Sequence, residues 1–341
     1  MEGHAKEKAT AFDIGHMRPE DASSIVDLCR IVYGDHYPIR EMYDPQHLLE
    51  QQDRGEMHHI VARDRKNRLV GHMAIFHASS PYPGVWEVGN VMVLPEYRNS
   101  GLNNMMMEYN FTELIPRLGI EQTWGEVGAN HVYMQKTGIL LGAYETGIEF
   151  DVMPESSYEK EQSSQGRVSV VLMFKTFKPK PQTLFLPSVY DEIIRHIYAN
   201  AFDFGHTYLT ADLAIEAKKQ SSVQSALLGD TGVNRITFPA IGGDVSERVR
   251  QIESEMTGRG AVVFQVCLKL TDPLVGRAVD ALRGCGYFLG GVLPRWFDDD
   301  GIMMQKIIHE PNVEGVKPYT GMAKKLLEFI RDDRKKVKKN S

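Results

Sequence analysis

The chain has 341 residues and a formal net charge of −6 at pH 7, with 42% hydrophobic and 25% charged residues. This length favours two domains, and the acidic balance argues against a broad basic groove for nucleic acid. The three cysteines lack C-x-x-C spacing and no apolar run reaches about 18 residues, so we expect a cytoplasmic protein with no disulfide framework and no membrane partner.

Predicted helices and strands alternate along the first half, after a polar leader at residues 1–11. Arg18-Pro19-Glu20-Asp21 opens an amphipathic helix that Gly34 ends. Asp44-Pro45 predicts an N-cap and first helical position of a second helix, which ends at Gly55. The later predictions are strands 58–63, 69–77 and 86–94, helix 102–118, strand 123–127, helix 132–141, and strands 144–152 and 168–177 around a polar hairpin loop, 154–166.

The run Lys178-Pro179-Lys180-Pro181 cannot continue a central strand, so we place a domain boundary there. Beyond it the sequence predicts helices 189–201, 245–256, 274–283 and 320–339, and strands 233–239, 261–270, 287–293 and 302–307. The last helix is basic, which predicts a solvated face or attraction to an acidic partner.

One strand-to-helix junction carries the chemistry. An apolar strand stops at Pro95, and a short turn with Arg98 and Gly101 leads into a long helix. Such a junction presents backbone N–H groups and the positive end of a helix dipole, which together suit a pyrophosphate. Gly101 lets an anion approach the backbone and Arg98 adds a cation. The alternative is a plain turn that contains a glycine.

Over residues 12–177 the chain resembles the GNAT superfamily of N-acetyltransferases. The family's cofactor motif is Arg or Gln, two residues, Gly, one residue, then Gly or Ala; Arg98 and Gly101 match it, and Asn103 departs from it. The resemblance implies acetyl-CoA as co-substrate, with a strand amide near Met92 polarising the thioester. The implied cofactor-binding residues are Val91, Met92, Val93, Arg98, Asn99, Ser100, Gly101, Leu102, Asn103 and Asn130.

Asn130 follows the predicted strand 123–127 and precedes Gly142 by twelve residues. In the family an Asn at this place meets the pantetheine arm, which pairs with two splayed strands. Asn130 is equally suited to cap the helix that follows, and one side chain can do both.

Catalysis needs a base that frees the attacking amine of its proton. Glu87, eleven residues before Arg98, stands where histone-type members of the family carry the base glutamate. Strand alternation predicts that Glu87 shares a face with Val91 and Val93, where an apolar setting raises the pKa of a carboxylate. The alternative is a solvated glutamate at the strand mouth. The resemblance also implies a tyrosine that protonates the leaving thiolate, for which Tyr133 is the candidate. The alternative is that Tyr133 only packs in the core or at the rim.

His36, Tyr37 and Tyr43 follow the first helix, where the family admits its acyl acceptor, so they are candidate substrate-binding residues or a packed lid. His58 and His59 point to opposite sides of a strand, and we predict no metal site.

The second half follows the family's order of elements but lacks the cofactor motif, and Asp244 places a negative charge at the corresponding helix start. The predicted fold is a GNAT-type α/β (α+β) protein with a mixed, mostly antiparallel central sheet flanked by helices. We expect a GNAT domain at 12–178, a degenerate copy at 182–310 or an unrelated α/β domain there, and a basic C-terminal helix at 316–341.

The predicted function is transfer of an acetyl group from acetyl-CoA to a primary amine on a small molecule or peptide. The alternative is a catalytically degenerate acyl-CoA-binding sensor or scaffold. A homodimer is a further expectation, and neither nucleic acid nor a membrane is an expected partner.

Overall fold

The computed structural model describes residues 12–158, 166–201, 203–211 and 220–340. The predicted leader and residues 159–165 of the predicted hairpin loop lie outside the described residues.

The described residues form fourteen strands. In chain order they are β1 (Asp13–His16), β2 (Met57–Arg63), β3 (Leu69–Phe76), β4 (Val85–Val93), β5 (Gln122–Gly128), β6 (Tyr144–Met153), β7 (Val168–Thr176), β8 (Thr183–Leu186), β9 (Thr207–Thr210), β10 (Ser222–Leu227), β11 (Val233–Ala240), β12 (Val263–Lys269), β13 (Phe288–Leu293) and β14 (Gly301–Ile307).

The helices are α1 (Ala22–Tyr33), α2 (Pro45–Asp53), α3 (Leu102–Tyr109), α4 (Tyr133–Leu140), α5 (Asp191–Ala201), α6 (Val245–Thr257), α7 (Val275–Arg283) and α8 (Gly321–Asn340). After α3 the chain continues through a π-helical turn, Asn110–Leu114, into a last helical turn, Ile115–Leu118.

Local sequence accounts for the helix ends. Gly34 ends α1 with a φ of 67°, which is in the range that glycine adopts without steric cost. Asp44 caps α2, because its carboxylate accepts hydrogen bonds from the backbone N–H groups of Gln46 and His47. Both helices lie where the sequence predicts them.

Twelve strands join in one sheet, in the order β1-β2-β3-β4-β5-β7-β6-β13-β14-β12-β11-β10, and β8 pairs with β9 in a separate two-stranded sheet. In the large sheet the neighbours pair antiparallel except at β4–β5 and β11–β12, which are parallel. We call β1–β7 with their helices the first lobe and β8–β14 with theirs the second lobe. The prediction of a mixed, mostly antiparallel sheet flanked by helices is confirmed; β8, β9 and β10 were not predicted.

The second lobe repeats the pairing scheme of the first. The series β3-β4-β5-β7-β6 and β10-β11-β12-β14-β13 have the same sequence of antiparallel and parallel pairings, and they meet where β6 pairs with β13. This order is the one that a degenerate second copy requires. The copy itself, and the boundaries of the two domains, remain predictions.

The lobes meet through glycines. Gly147 of β6 pairs with Gly291 of β13, and a Cβ on Gly147 would lie 2.3 Å from the carbonyl oxygen of Gly290. Real Cβ atoms do not approach backbone atoms so closely, so β6 and β13 can pair here only because both positions are glycine. We call this contact between β6 and β13 the seam.

The C-terminal helix packs against the seam. α8 contacts both β6 and β13, and its Leu326, Ile330 and Val337 are buried in the apolar core that both lobes share. Its Asp333 accepts hydrogen bonds from the hydroxyl of Tyr190 and the backbone N–H of Leu289. The predicted basic helix therefore also has an apolar face, which packs against strands of both lobes. Among the described residues, no helix combines the length and apolar character that crossing a bilayer demands.

Candidate functional site

The parallel strands β4 and β5 pair for only three residues and then separate. The paired positions are Val85–Gln122, Trp86–Thr123 and Glu87–Trp124, whereas the other edge of β4 stays paired with β3 as far as Val93. Beyond Glu87, β5 no longer pairs with the facing edge of β4. A strand edge of this kind can hydrogen-bond to an extended ligand that enters the gap.

A bulge in β4 lies in this separated stretch. Asn90 has a φ of 51°, and the pairing with β3 shifts register between His72 and Ala74. The carbonyl oxygen of Asn90 lies 2.9 Å from Nδ1 of His72, and its Oδ1 accepts a hydrogen bond of 2.8 Å from the hydroxyl of Tyr37. The bulge is therefore held from β3 and from the loop after α1.

The bulge corrects one prediction. Ala74 pairs with Gly89 and His72 with Met92, so the register advances by one extra residue on β4. Glu87 and Gly89 consequently share a face with Met92. The prediction that Glu87 lies on the face of Val91 and Val93 is wrong, because it assumed unbroken alternation.

The backbone N–H that faces the gap belongs to Val93. The N–H of Leu94 donates to the carbonyl oxygen of Val70 at 3.0 Å, so it points toward β3. The N–H of Met92, two residues earlier, points the same way. Alternation turns the amide of Val93 to the opposite edge. The amide next to Met92 that faces the gap is therefore that of Val93.

The loop after β4 leaves room for an anion. Asn99 and Gly101 have φ values of 63° and 84°, and Gly101 is the N-cap of α3. Apart from the adjoining backbone and its chain neighbours, no heavy atom lies within 4 Å of the place that a Cβ on Gly101 would take. Arg98 is exposed, and the hydroxyl of Ser100 accepts a hydrogen bond of 3.3 Å from the N–H of Leu102. Open backbone at a helix start fits a phosphate group.

Asn103 is turned toward α4. Its Nδ2 lies 3.3 Å from Oγ1 of Thr137 and 3.1 Å from Sδ of Met134, and the Thr137 hydroxyl donates to Oδ1 of Asn104 at 2.7 Å. Because α3 follows β4 and α4 follows β5, these contacts join the two helices at the wide end of the gap. Asn103, which departs from the family motif, therefore links α3 to α4.

Asn130 and Tyr133 lie on either side of the start of α4 and differ in exposure. Asn130 is buried, whereas Tyr133 is 68% exposed. The N–H of Lys317 donates to the carbonyl oxygen of Ala129 at 2.6 Å, and Nε2 of Gln135 donates to the carbonyl oxygen of Lys317 at 3.0 Å. The chain that leads into α8 therefore covers the turn between β5 and α4.

The three predicted acceptor residues have different surroundings. Tyr37 is buried against the β4 bulge, while the hydroxyl of Tyr43 accepts from the N–H of Tyr37 at 2.9 Å and donates to the carbonyl oxygen of Gly34 at 2.8 Å. Tyr43 thus folds its own loop, and His36 is exposed. The same loop reaches the second lobe, where Nε of Arg40 lies 2.9 Å from Oδ2 of Asp230.

Glu87 lies at the point where β4 and β5 part, beside two further glutamates. Trp124 is directly opposite it, and Glu126 is two residues farther along the same face of β5. Burial raises the pKa of Glu87 well above its usual value; Glu126 and Glu149 raise it further, and Arg235 opposes them. Burial is also the main cause of the raised pKa of Glu149.

The second lobe supplies the cation of this cluster. Nη2 of Arg235 lies 2.9 Å from Oε1 of Glu126 and 3.6 Å from Oε1 of Glu149. Its Nε donates to Oε1 of Gln265 at 2.7 Å, and Nε2 of Gln265 donates to Oε2 of Glu149 at 2.7 Å. The sequence analysis missed Arg235; the signal was a charged residue inside the predicted strand 233–239.

A buried histidine pair was also missed. Nδ1 of His59 lies 3.0 Å from Nε2 of His72, and burial lowers the pKa of His59 to about 3 and of His72 to about 4. Both rings are therefore neutral at physiological pH, and the pair supports the bulge at Asn90. In the part of the chain that the structure describes, no group of three or more histidine, cysteine or acidic side chains could hold a metal ion.

Several solved structures resemble about half of this chain. The ribosomal-protein-S5-alanine acetyltransferase of Vibrio fischeri is 12% identical, with a TM-score of 0.41 over 49% of this chain and 93% of that one. The ribosomal-protein-S18-alanine N-acetyltransferase of Escherichia coli is 15% identical, with a TM-score of 0.40 over 50% and 96%. The Salmonella typhimurium protein yncA, solved with its cofactor acetyl-CoA, is 14% identical, with a TM-score of 0.41 over 50% and 95%.

A search of curated proteins finds no match to the sequence. Residues 24–138 match the model of the acetyltransferase (GNAT) family. That segment runs from α1 to α4 and contains the bulged strand β4, the loop at Gly101 and the start of α3. The matched GNAT acetyltransferase domain, residues 24–138, therefore lies within the first lobe of this chain.

Proposed function

We propose that the first lobe is an N-acetyltransferase that moves an acetyl group from acetyl-CoA to a primary amine by direct attack. One observation carries the proposal: the gap between β4 and β5 has an open phosphate-type loop at its wide end and the half-buried side chain of Glu87 at its narrow end.

The cofactor half of the site consists mainly of backbone groups. The loop at residues 98–103 holds the pyrophosphate through N–H groups at the start of α3, and the cation of Arg98 adds attraction. The free edge of β4 pairs with the pantetheine arm, with Asn130 on the other wall of the gap. The amide of Val93 is placed to donate to the thioester oxygen, where negative charge develops during attack.

The chemical step needs one proton acceptor. The amine nitrogen bonds to the acetyl carbon, the carbon–sulfur bond breaks, and the thiolate leaves. Glu87 takes the amine proton, directly or through one water molecule. Because burial raises the pKa of Glu87, its carboxylate is a stronger base than a solvated glutamate.

Two features favour the alternative of an acyl-CoA sensor. Tyr133, the candidate acid, is exposed, and Asn103 joins α3 to α4 across the wide end of the gap. A sensor would bind acetyl-CoA without turning it over. The acceptor amine, the cytoplasmic location and the homodimer remain predictions.

Calorimetric titration with acetyl-CoA tests the shared part of both functions, and absence of binding at millimolar ligand would contradict both. If the protein binds, thiol release is measured with amino acids, polyamines, aminosugars and peptides as acceptors. Turnover with any of them supports the transferase, whereas binding without turnover across the panel supports the sensor.

A further inference from the structure

The second lobe places a cation at the position where the first lobe has its candidate base. In the parallel pair β4–β5, the third paired position joins Glu87 to Trp124. In the parallel pair β11–β12, the third paired position joins Arg235 to Gln265. Equivalent strand positions of the two lobes thus carry opposite charges, and both belong to one cluster.

This arginine is held through two of its nitrogens and between two rings. Its side chain is 4% exposed, and its hydrogen bonds run to Glu126 and Gln265. The guanidinium carbon lies 5.6 Å from the ring centre of Trp124 and 5.7 Å from that of Trp296. Two tryptophan rings and two polar partners leave the guanidinium little freedom to move, and they keep water from it.

The cluster carries more carboxylates than cations. Glu87, Glu126 and Glu149 come from the three strands β4, β5 and β6, and Arg235 from β11 is the cation that acts on them. Carboxylates gathered in a buried or half-buried setting repel one another, and a cation among them offsets this repulsion. The protonation of Glu87 therefore depends on a residue of the other lobe.

We propose that Arg235 is a positioning residue for the reaction of the first lobe: by holding Glu126 and Glu149 it sets the pH above which Glu87 can accept the amine proton. The inference rests on the proposed function, because it assigns Arg235 to the base of that same site. It gives the second lobe an electrostatic part in catalysis without a cofactor site of its own.

The direction of the effect follows from the charges that face Glu87. Glu126 and Glu149 raise its pKa and Arg235 lowers it. Without the guanidinium, the pKa of Glu87 rises, and a smaller fraction of the protein carries the basic carboxylate at neutral pH. A unit charge within the same cluster in a protein interior shifts a pKa by about one unit or more.

The test compares Arg235→Gln with Arg295→Gln. Arg295 also joins the lobes through a buried guanidinium, whose Nη2 lies 2.6 Å from Oε2 of Glu121, but it is not among the charges that act on Glu87. In the pH profile of kcat/KM, Arg235→Gln should move the midpoint up by about one unit, with about a tenfold loss below the midpoint. Arg295→Gln should leave the midpoint unchanged, and Arg235→Lys, which keeps a positive charge, should hold the midpoint close to that of the wild type.

A second measurement is independent of turnover. The ¹³C carboxyl resonance of Glu87, assigned by its loss in Glu87→Gln, is titrated in the wild type and in Arg235→Gln. If the wild type acetylates no amine, the proposed function fails, and this titration still tests the link between the two residues. An unchanged Glu87 titration in folded Arg235→Gln overturns the inference, as does an equal shift in Arg295→Gln.

If Arg235→Gln does not fold, Glu126→Gln takes its place. Removal of this carboxylate takes a negative charge away from Glu87, so the midpoint must move down. A midpoint that stays or rises overturns the inference.

Discussion

The two lobes share one pairing order over five strands each, but their parallel strands behave differently. In the first lobe, β4 and β5 pair at three positions and then separate around the bulge at Asn90. In the second lobe, β11 and β12 pair at six consecutive positions, from Val233 to Phe238, without a break. A ligand can pair with a strand edge in the first lobe, whereas in the second lobe the neighbouring strand already occupies that edge.

The junctions after these strands differ in the same sense. After β4 the backbone at Gly101 is open. After β11 the N–H of Gly242 donates to the hydroxyl of Ser221 at 2.9 Å, and the N–H of Ser221 donates to Oδ1 of Asp244 at 2.7 Å. At the second junction the N–H of Gly242 is therefore satisfied by a side chain, and Asp244 adds a carboxylate. Hydrogen bonds from Ser221 and Arg248 outweigh the effect of burial and lower the pKa of Asp244. One pairing scheme is thus open to a ligand in the first lobe and closed by the protein's own side chains in the second.

The largest expected effect follows removal of the base. Glu87→Gln should lower kcat by about a hundredfold or more, because general-base catalysis contributes that much. Its affinity for acetyl-CoA should stay within about twofold, since no cofactor contact is removed. Wild-type kcat should rise with pH through the raised pKa of Glu87, and the variant should lose this limb. Glu113→Gln, an exposed change after α3, is the control. Unchanged turnover in Glu87→Gln would remove this residue from the mechanism.

Next in size is the seam between the lobes. In Gly147→Ala the new Cβ meets the backbone of Gly290 and Gly291, so the strands must part. We expect the free energy of unfolding to fall by about 2–3 kcal/mol, as in other overpacked interiors. Gly15→Ala in β1 is the control, since a Cβ there has no neighbour within 4 Å. Denaturant unfolding of both variants measures the difference; equal stabilities would mean that the seam adjusts without strain.

The open loop is tested by a matched pair of glycines. Gly101 and Gly260 both have positive φ, 84° and 92°, and both have open space where a Cβ would lie. Alanine at either position should cost about 1 kcal/mol of stability. Gly101→Ala should also weaken acetyl-CoA binding about tenfold in calorimetry, because the methyl group keeps the phosphate from the backbone. Equal cofactor affinity in the two variants would place the anion elsewhere.

Sequence and structure agree best where a signal is local. The loop around Gly101 and the cap at Asp44 follow from residues that lie side by side in the chain. The bulge at Asn90 depends on Tyr37, 53 residues away, and the ion pair of Arg235 with Glu126 spans 109 residues. The alternation of residues along β4 or β11 carries no information about contacts with such distant parts of the chain. The face that Glu87 shares and the cation that faces it could therefore not be predicted from the sequence.

The smallest expected effect concerns Asn103, where the chain departs from the family motif. Its side chain links α3 to Thr137 of α4, so opening the wide end of the gap costs one or two hydrogen bonds, about 1 kcal/mol in total. Asn103→Ala should therefore bind acetyl-CoA a few-fold more tightly in calorimetry. Thr137→Val removes the same link from the opposite helix and should shift affinity in the same direction. Weaker binding in Asn103→Ala alone would mean that this amide turns to the bound cofactor and donates a hydrogen bond to it. Asn103 would then be a cofactor-binding residue and not a link that holds α3 and α4 together across the gap.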